Sequence, residues 1–411
     1  MTGDQTMTAQ LESAHFLPVG LERLVGDLAE GVVPDGEQAA FERFGRIWVA
    51  LFHLSMRSQL LGLQRSYQPF DPDREMLLEA EVSDREKAKL EFVGRVRSLL
   101  DRAHFEEATR KDLERALTKT SPLGLSVSVD LGELDVFHVY YRGVEKRTSE
   151  RRDPWRLWLT KKTEEVTLFR RVFLLLDPKP NPDEGIEAGA DGSQGGMDPE
   201  RIYLKLFKDV PFSDLEMLLP NTKVRMSAFD KLRLAVTGGG GTVGGIMATV
   251  TKLGAAASPS TWAMALGGLG AVLWRQLSKV FSQRTKYMAT LAKRLYFHTL
   301  DNGFGVLTRI MELAEAEECK ESLLACAFLA RDGESLPADL DERAQAWART
   351  KYGIELDYDV AGGIQKLKKA GVLAGDEGRV AMLGFDAAFA KLDEAWDGVF
   401  SAEPEAPAEG A

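Results

Sequence analysis

The chain has 411 residues and a formal net charge of −11; 44% of its residues are hydrophobic and 28% are charged. These proportions describe a folded protein with room for about two or three domains. The acidic balance argues against nucleic acid as a partner of the whole molecule, because phosphate binding needs a basic face. Cys319 and Cys326 lie in a helical pattern, and two thiols at this spacing fit neither a disulfide framework nor a metal site.

Residues 1–122 are predicted to form a helical N-terminal domain. The stretch from Phe41 to Leu63 places apolar residues at mixed spacings of three and four, which is typical of an amphipathic helix. His53 stands among apolar neighbours, so we expect it to be packed in the core. A second helix is expected after Ser83, which is a plausible N-cap with Glu86 in the capping-box position.

Residues 123–230 are predicted to form a mainly antiparallel β domain. Segments such as "LDVFHVYYRGVEKRTSER" and "RIYLKLFKDV" are rich in β-branched and aromatic residues and are separated by turn-like stretches. Residues 177–200 are polar and rich in Pro and Gly, so this interval is expected to be a mobile loop within the domain.

A glycine-rich run, "AVTGGGGTVGGI", follows from residue 235 and admits two interpretations. Gly239, Gly241 and Gly244 spell the G-x-G-x-x-G of dinucleotide-binding loops, but that motif needs an acidic residue about 20 positions later. No Asp or Glu occurs between Asp230 and Asp301. The sequence therefore favours a helical hairpin, either in a membrane or buried in a protein core.

The membrane hairpin is the favoured interpretation for residues 231–286. Two uncharged runs, residues 234–251 and 253–274, are each near the length that crosses a bilayer, and basic residues flank the pair. Small residues four apart allow close helix contact. The predicted hairpin contacts are Gly240, Gly241, Gly244, Gly245, Ala263, Gly267 and Ala271. The flanking charges predict a bacterial inner-membrane protein with both termini in the cytoplasm.

Residues 287–335 are predicted to be a long helical pair joined near residues 301–303. His298, Asp301 and Asn302 are the only dense group of site-like side chains there, although Asp-Asn-Gly is also ordinary turn chemistry. Four glutamates suggest carboxylates for a metal, but they fall on several faces of one helix, so a solvated face is expected: Glu315, Glu317, Glu318 and Glu321. The two cysteines are expected to be packing residues.

Residues 336–400 read as helix, helix, short hairpin and helix, an order typical of a winged-helix-like domain. Lys366, Lys368 and Lys369 lie on the helix that would contact DNA. The segment nevertheless holds twelve Asp/Glu against eight Lys/Arg, which is a poor footprint for DNA and favours protein contact. Residues 401–411 are expected to be a disordered tail. The predicted fold class is therefore α+β, with a helical N-terminal region, a small antiparallel β region, a transmembrane-type hairpin and C-terminal helices ending in a winged-helix-like part.

Three long strings resemble the uncharacterised transmembrane protein 143-like family, which carries domain of unknown function 3754. They are "IYLKLFKDVPFSDLEMLLPNTKVRMSAFDKLRL", "LYFHTLDNGFGVLTRIMELAEAEECKESLLACAFL" and "LDEAWDGVF". The resemblance spans roughly residues 125–400. It implies a membrane protein with a paired apolar segment, no established activity and no catalytic residues to carry over.

The sequence predicts a membrane-anchored, non-enzymatic adaptor or sensor that acts through protein contacts and needs no cofactor or metal. Its expected partners are the lipid bilayer and an unidentified protein, with self-association through the Gly-rich helices and with nucleic acid disfavoured. Two alternatives stay open. One is a membrane-tethered winged-helix regulator, and the other is a soluble enzyme with a buried Gly-rich hairpin and His298, Asp301 and Asn302 near its site.

Overall fold

The structure is a computed structural model with an α+β fold. It describes residues 10–11, 16–73, 83–109, 126–129, 134–152, 161–179, 198, 200–212, 215, 218, 222–225, 296–354, 356, 360–375 and 378–398. The chain divides into two compact units, and each is described by itself. The first comprises Met1–Glu107, Leu134–Phe207 and Asp301–Ala411, and the second comprises Ala108–Glu133 and Lys208–Leu300.

The helices of the first unit begin with α1 (Leu21–Gly31), α2 (Gln38–Tyr67) and α3 (Arg85–Arg102). A 3₁₀ turn, Gln68–Phe70, follows α2 directly. The later helices are α4 (Phe304–Asp332), α5 (Pro337–Tyr352), α6 (Ala361–Lys369) and α7 (Phe385–Gly398). The Asp84 side chain accepts a hydrogen bond from the Lys87 amide and caps α3, so the N-cap lies one residue after the predicted Ser83.

The strands are β1 (Gln10–Leu11), β2 (Glu106–Glu107), β3 (Ser126–Val129), β4 (Leu134–Arg152), β5 (Lys161–Pro178), β6 (Tyr203–Pro211), β7 (Thr222–Arg225), β8 (Thr299–Asn302), β9 (Leu373–Ala374) and β10 (Ala381–Met382). The main sheet has the order β1-β4-β5-β6-β8, and β2 also pairs with β4. β4 and β5 form a long antiparallel ladder in which Tyr140 lies opposite Phe173. In the second unit β3 pairs antiparallel with β7, and Val127 lies opposite Val224.

Helix α4 forms the centre of the first unit. It contacts α1, α2, α3, α5 and α6, and every residue from Glu317 to Leu329 is buried. Such all-round burial is expected only for a helix enclosed by other elements. The core around it is built from aromatic and aliphatic side chains that each contribute about 1.5–3 kcal/mol by burial, among them Phe41, Phe44, Leu323, Phe328, Leu340, Ile364 and Leu367.

The order predicted for the C-terminal region is present between residues 337 and 398. Helices α5 and α6 are followed by the antiparallel pair β9 and β10, in which Leu373 lies opposite Met382, and then by α7. Phe385 at the start of α7 packs edge-on against Phe41 and Phe44 of α2. Residues 337–398 therefore share one hydrophobic core with α1 and α2.

The predicted fold class is wrong in its transmembrane-type hairpin. Among the described helices, none combines the length and the apolar character that crossing a bilayer requires. Helices α2 and α4 have 30 and 29 residues, which is long enough, but both carry ionisable side chains along their length, and these are costly in lipid. Residues 231–286 and all seven predicted hairpin contacts, from Gly240 to Ala271, lie outside the described residues. The membrane and transmembrane assignments are corrected accordingly.

Candidate functional site

The densest group of buried ionisable side chains in the described structure lies on α4. Glu317, Glu318, Lys320 and Glu321 are only 1%, 5%, 6% and 5% exposed. The prediction that these glutamates form a solvated face is wrong, because other elements enclose this part of the helix. We call the group the buried ion cluster: Glu317, Glu318, Lys320 and Glu321 with Arg102, His104, Arg142 and Lys366, which reach them from elsewhere in the first unit.

Glu317 joins α4 to β4. Its Oε1 atom accepts hydrogen bonds from Arg142 Nη2 at 2.6 Å and from Lys320 Nζ at 2.9 Å. Its Oε2 atom accepts a bond from the backbone amide of Leu17, and Lys320 donates to the Leu17 carbonyl at 2.8 Å. The Arg142 guanidinium also lies 4.1 Å from the centre of the Phe16 ring. One carboxylate thus fixes the strand, the helix and the segment before α1.

Glu318 joins α4 to the end of α3. Arg102 donates from Nε to Oε1 at 2.8 Å and from Nη2 to Oε2 at 3.0 Å. This two-pronged geometry is the strong form of an arginine–carboxylate pair, because both oxygens are engaged by a rigid planar donor. Lys366 of α6 approaches the same Oε1 atom at 3.4 Å.

Glu321 joins α4 to α6 and to His104, which lies in the turn after α3. Its Oε1 lies 3.0 Å from His104 Nε2, and its Oε2 accepts a bond from Lys366 Nζ at 3.1 Å. His104 has a φ of 55°, which is rare for a residue other than glycine. The Phe105 amide donates to Leu100 across this turn, as in a helix end with a left-handed residue. The turn directs the imidazole at the carboxylate.

Two glycines allow α6 to reach the cluster. A β-carbon on Gly363 would lie 2.5 Å from the Glu321 carbonyl carbon and 2.7 Å from the Ser322 amide nitrogen. A β-carbon on Gly362 would lie 2.9 Å from Glu321 Oε2. Only glycine lets the backbones of α4 and α6 approach this closely, and that approach places Lys366 between Glu318 and Glu321.

The cluster is an ion-pairing network whose charges nearly cancel. Three carboxylates face four basic side chains, Arg102, Arg142, Lys320 and Lys366, and all six carboxylate oxygens have a partner. Burying charges is costly, and the cost is offset only when pairing and hydrogen bonding are complete. Such networks define how elements fit together and are strongly destabilised by the loss of one member.

His53 lies at the exposed margin of this region, and its expected place in the core is wrong. Its side chain is 64% exposed, and Nδ1 lies 3.0 Å from Glu315 of α4. The apolar neighbours of His53 in the sequence point in other directions around α2, because each residue turns a helix by about 100°. The Glu315 side chain is 16% exposed, so this pair is more accessible to water than the cluster.

Both cysteines are buried packing residues, as predicted. Cys319 and Cys326 are free thiols with no measurable exposure, and Cys326 Sγ lies 3.2 Å from Met382 Sδ. Burial raises the pKa of both thiols far above their usual range, and for Cys319 nearby glutamates add to the effect. Neither thiol is therefore expected to act as a nucleophile at neutral pH.

The predicted polar group His298, Asp301 and Asn302 lies in and directly before β8. His298, in the second unit, donates from Nδ1 to the Lys208 carbonyl at 2.8 Å, and a carbonyl can only accept. Asp301 and Asn302, in the first unit, lie in β8 instead of in a turn between two helices. Asp301 lies 3.5 Å from Arg309 of α4, while Asn302 is exposed. A catalytic role for the three residues stays a prediction.

No grouping of His, Cys, Asp or Glu within the described ranges has the arrangement of a metal site. The glutamates of α4, which suggested metal ligands in the sequence, are instead held by cations. Their partners could not be read from the sequence. The Gly-Gly pair three residues before Lys366 was the one local signal, because glycines inside a helix often mark a close approach of another backbone.

A protein-family model matches part of the chain. The model of a protein family of unknown function, domain of unknown function 3754, matches residues 169–305. This region contains most of β5, all of β6 and β7, and β8, and it ends at the first turn of α4. The match confirms the domain of unknown function named from the sequence, while membership of the transmembrane protein 143-like family is not confirmed. No solved structure matches the chain.

Proposed function

We propose that this chain is a non-enzymatic adaptor or sensor that acts through protein contacts. The observation that supports the proposal is the saturation of the buried ion cluster, in which every carboxylate oxygen of Glu317, Glu318 and Glu321 has a partner. A general acid or base must direct a proton-transferring atom at its substrate. The carboxylate oxygens of the cluster instead bind groups from other elements of the same unit, as expected for residues that connect these elements.

The connections of α4 also suit transmission of a binding event. Side chains from α2, α3, β4 and α6 reach its segment from Glu315 to Glu321. A partner that shifts one of these elements must break or rebuild a buried pair. Because breaking such a pair is costly, the other elements respond as a set. A partner bound at one surface can therefore be sensed at another.

DNA binding by the winged-helix-like part is a weaker candidate. On α6, the helix that would contact DNA, Lys366 is turned towards Glu318 and Glu321. Lys368 and Lys369 are exposed, but residues 336–400 as a whole have a net charge of −4. A net negative charge repels the phosphates of DNA, whereas it is compatible with binding to a protein surface. Protein contact is accordingly favoured for this part of the chain.

The proposal is tested by capture followed by reconstitution. Proteins captured by the full chain from its native source are identified and purified, and each is co-eluted with the full chain on a sizing column. The proposal expects one captured protein to co-elute in a fixed ratio. It is contradicted if none does, or if the purified chain turns over a small molecule and loses that turnover in His298→Ala or Asp301→Ala with an unchanged melting temperature.

A further inference from the structure

Phe16 and Leu17, which precede α1, are held by α4 and β4 in the way that a bound peptide is held. The two residues are buried, at 9% and 0% exposure. The Leu17 amide donates to Glu317 Oε2 at 3.3 Å, and the Leu17 carbonyl accepts from Lys320 Nζ at 2.8 Å. Both bonds engage the backbone and not the side chain. Any extended segment with an amide hydrogen at this position can therefore make them.

The Phe16 ring lies against β4 at a place where the strand has no side chain. The Arg142 guanidinium lies 4.1 Å from the ring centre, which is a cation–π contact. Gly143 has a φ of 72°, and a β-carbon there would come within 3.2 Å of ring atoms Cε1 and Cζ. Glycine at this position serves both the backbone conformation and the space for the ring. We call the residues that hold the dipeptide the dipeptide slot: Arg142, Gly143, Glu317 and Lys320.

The same part of the chain also adds a strand to the edge of the main sheet. β1 pairs antiparallel with β4, with Gln10 opposite Lys146 and Leu11 opposite Glu145, and β1 stands at the end of the strand order. Many peptide-recognition domains bind an extended ligand in this way, as a strand added to a sheet edge. Main-chain hydrogen bonds then supply affinity, and pockets for side chains supply specificity. β1 and the dipeptide slot provide both parts within one chain.

The charges of the dipeptide slot stay paired when the dipeptide leaves. Glu317 Oε1 accepts hydrogen bonds from Arg142 and from Lys320, and neither bond involves Phe16 or Leu17. Water can replace the two bonds to the Leu17 backbone. The large penalty for breaking a buried ion pair therefore does not oppose release. The main loss is the apolar contact of two side chains, and an incoming segment with similar side chains restores it.

We propose that the dipeptide slot binds an extended segment of a partner protein in which an aromatic residue precedes a leucine. Phe16 and Leu17 fill the slot until that segment displaces them. A partner is favoured over a second copy of this chain, because exchange between two copies only replaces bonds that each copy already makes and adds the cost of association. The inference rests on the proposed adaptor function and names the chemistry of its partner.

The test uses the full chain and a fluorescent peptide with the sequence of residues 8–19, "TAQLESAHFLPV". In the wild type the attached dipeptide competes at a high effective concentration. The variant Phe16→Ala/Leu17→Ala weakens this competitor and leaves the slot unchanged, so its Kd for the peptide is expected to be at least about tenfold lower than that of the wild type. Fluorescence anisotropy measures both values.

Changes in the peptide test the contacts without altering the protein. A peptide N-methylated at Leu17 cannot donate to Glu317, and it should bind the Phe16→Ala/Leu17→Ala protein about tenfold more weakly. A peptide carrying Phe16→Ser/Leu17→Ser should not bind.

Leu24→Ala/Leu28→Ala is the matched control in the protein. It truncates two α1 side chains that are also 0% exposed and leaves the dipeptide in place, so it should bind no more peptide than the wild type does. Circular dichroism and melting temperature establish that each variant is folded. If the Phe16→Ala/Leu17→Ala chain is not folded, Phe16→Ala alone replaces it and is expected to lower the Kd about threefold or more.

Several results would overturn the inference. These are equal peptide binding by the wild type and the Phe16→Ala/Leu17→Ala variant, no binding by either, or an equal gain in the matched control. A wild-type dimer that the peptide separates into monomers would assign the slot to a second copy instead. A captured protein that co-elutes with the chain should be displaced by excess peptide. If it is not displaced, the dipeptide slot is wrong as the partner site while the adaptor function stands. If no captured protein co-elutes at all, the adaptor function fails, and the peptide result still decides whether the slot binds a segment of another chain.

Discussion

Gly363 lies against the backbone of Glu321, so that a β-carbon at position 363 would come within 2.5 Å of the Glu321 carbonyl carbon. The Glu321 atoms that this β-carbon would meet are backbone atoms in the middle of the buried helix α4, so they cannot move away as the end of a flexible side chain could. Gly363→Ala is therefore expected to push α6 away from α4 and to lower the free energy of unfolding by about 2–3 kcal/mol. Urea denaturation measures this change.

A matched helical glycine provides the control for this prediction. Gly94 lies on an exposed part of α3, and nothing lies within 4 Å of the place where its β-carbon would be. Gly94→Ala is expected to raise the free energy of unfolding by about 0.5–1 kcal/mol, because alanine favours a helix. Equal effects of the two substitutions would show that α6 does not contact α4 as described.

Glu317→Gln removes the charge that holds two buried cations. Arg142 and Lys320 would keep their positive charges without the carboxylate that they share. We expect a loss of about 3 kcal/mol in the free energy of unfolding, since uncompensated buried charge is the costly outcome. The exposed pair Arg309–Glu312 is the comparison, and Glu312→Gln should cost less than about 1 kcal/mol. A small effect at Glu317 would mean that water reaches the cluster.

The N-cap of α3 distinguishes the structure from the sequence-based prediction. Asp84 accepts the Lys87 amide at 3.0 Å, whereas the sequence favoured Ser83. Asp84→Ala should lower the free energy of unfolding by about 1 kcal/mol, and Ser83→Ala should change it by less than about 0.5 kcal/mol. If Ser83→Ala lowers the free energy of unfolding more than Asp84→Ala does, Ser83 is the N-cap and the structure is wrong at this position.

Asp27 gives a prediction for acid conditions. Hydrogen bonds from Tyr352 and then Lys351 lower the pKa of this carboxyl below its usual 3.8. A carboxyl with a lowered folded-state pKa contributes stability above the unfolded-state pKa and loses it as the pH falls through the folded-state pKa. The difference in unfolding free energy between wild type and Asp27→Asn should thus be constant from pH 7 to about 4 and shrink below that.

The exposed Asp101 serves as the control for the acid titration. Measured over the same pH range, Asp101→Asn gives the effect of an Asp-to-Asn change at an exposed position of the same unit. If the difference between wild type and Asp27→Asn does not depend on pH down to pH 2, the hydrogen bonds from Tyr352 and Lys351 do not act on an ionised carboxylate.

The elements that local patterns predicted best are the helices with a strong period and the C-terminal region. The stretch from Phe41 to Leu63 lies inside α2, and the helix, helix, hairpin and helix order is found between residues 337 and 398. These features depend on spacings within one segment, which a sequence displays directly. Periodicity gave the existence of α2 but not the direction of His53, which points to Glu315.

The buried ion cluster could not be predicted, because its pairs are distant in the chain. Glu317 and Arg142 are 175 residues apart, Glu318 and Arg102 are 216, and Glu321 and His104 are 217. A run of charged residues usually marks a face of a helix that is exposed to solvent. Here the elements packed around α4 bury the glutamates instead. The transmembrane hairpin was inferred from uncharged length, basic flanks and small residues four apart. No helix among the described residues has the length and apolar character that a membrane span needs.

The most direct test of the central claim, that the α4 carboxylates are internal connectors, is a double-mutant cycle between Glu317 and Arg142. The free energy of unfolding is measured for Glu317→Met, Arg142→Met, the double variant and the wild type. The account predicts a coupling free energy of about 1.5 kcal/mol or more, with the double variant more stable than the sum of the single losses implies. Losses that add within about 0.5 kcal/mol would contradict it, because the two residues would then act independently.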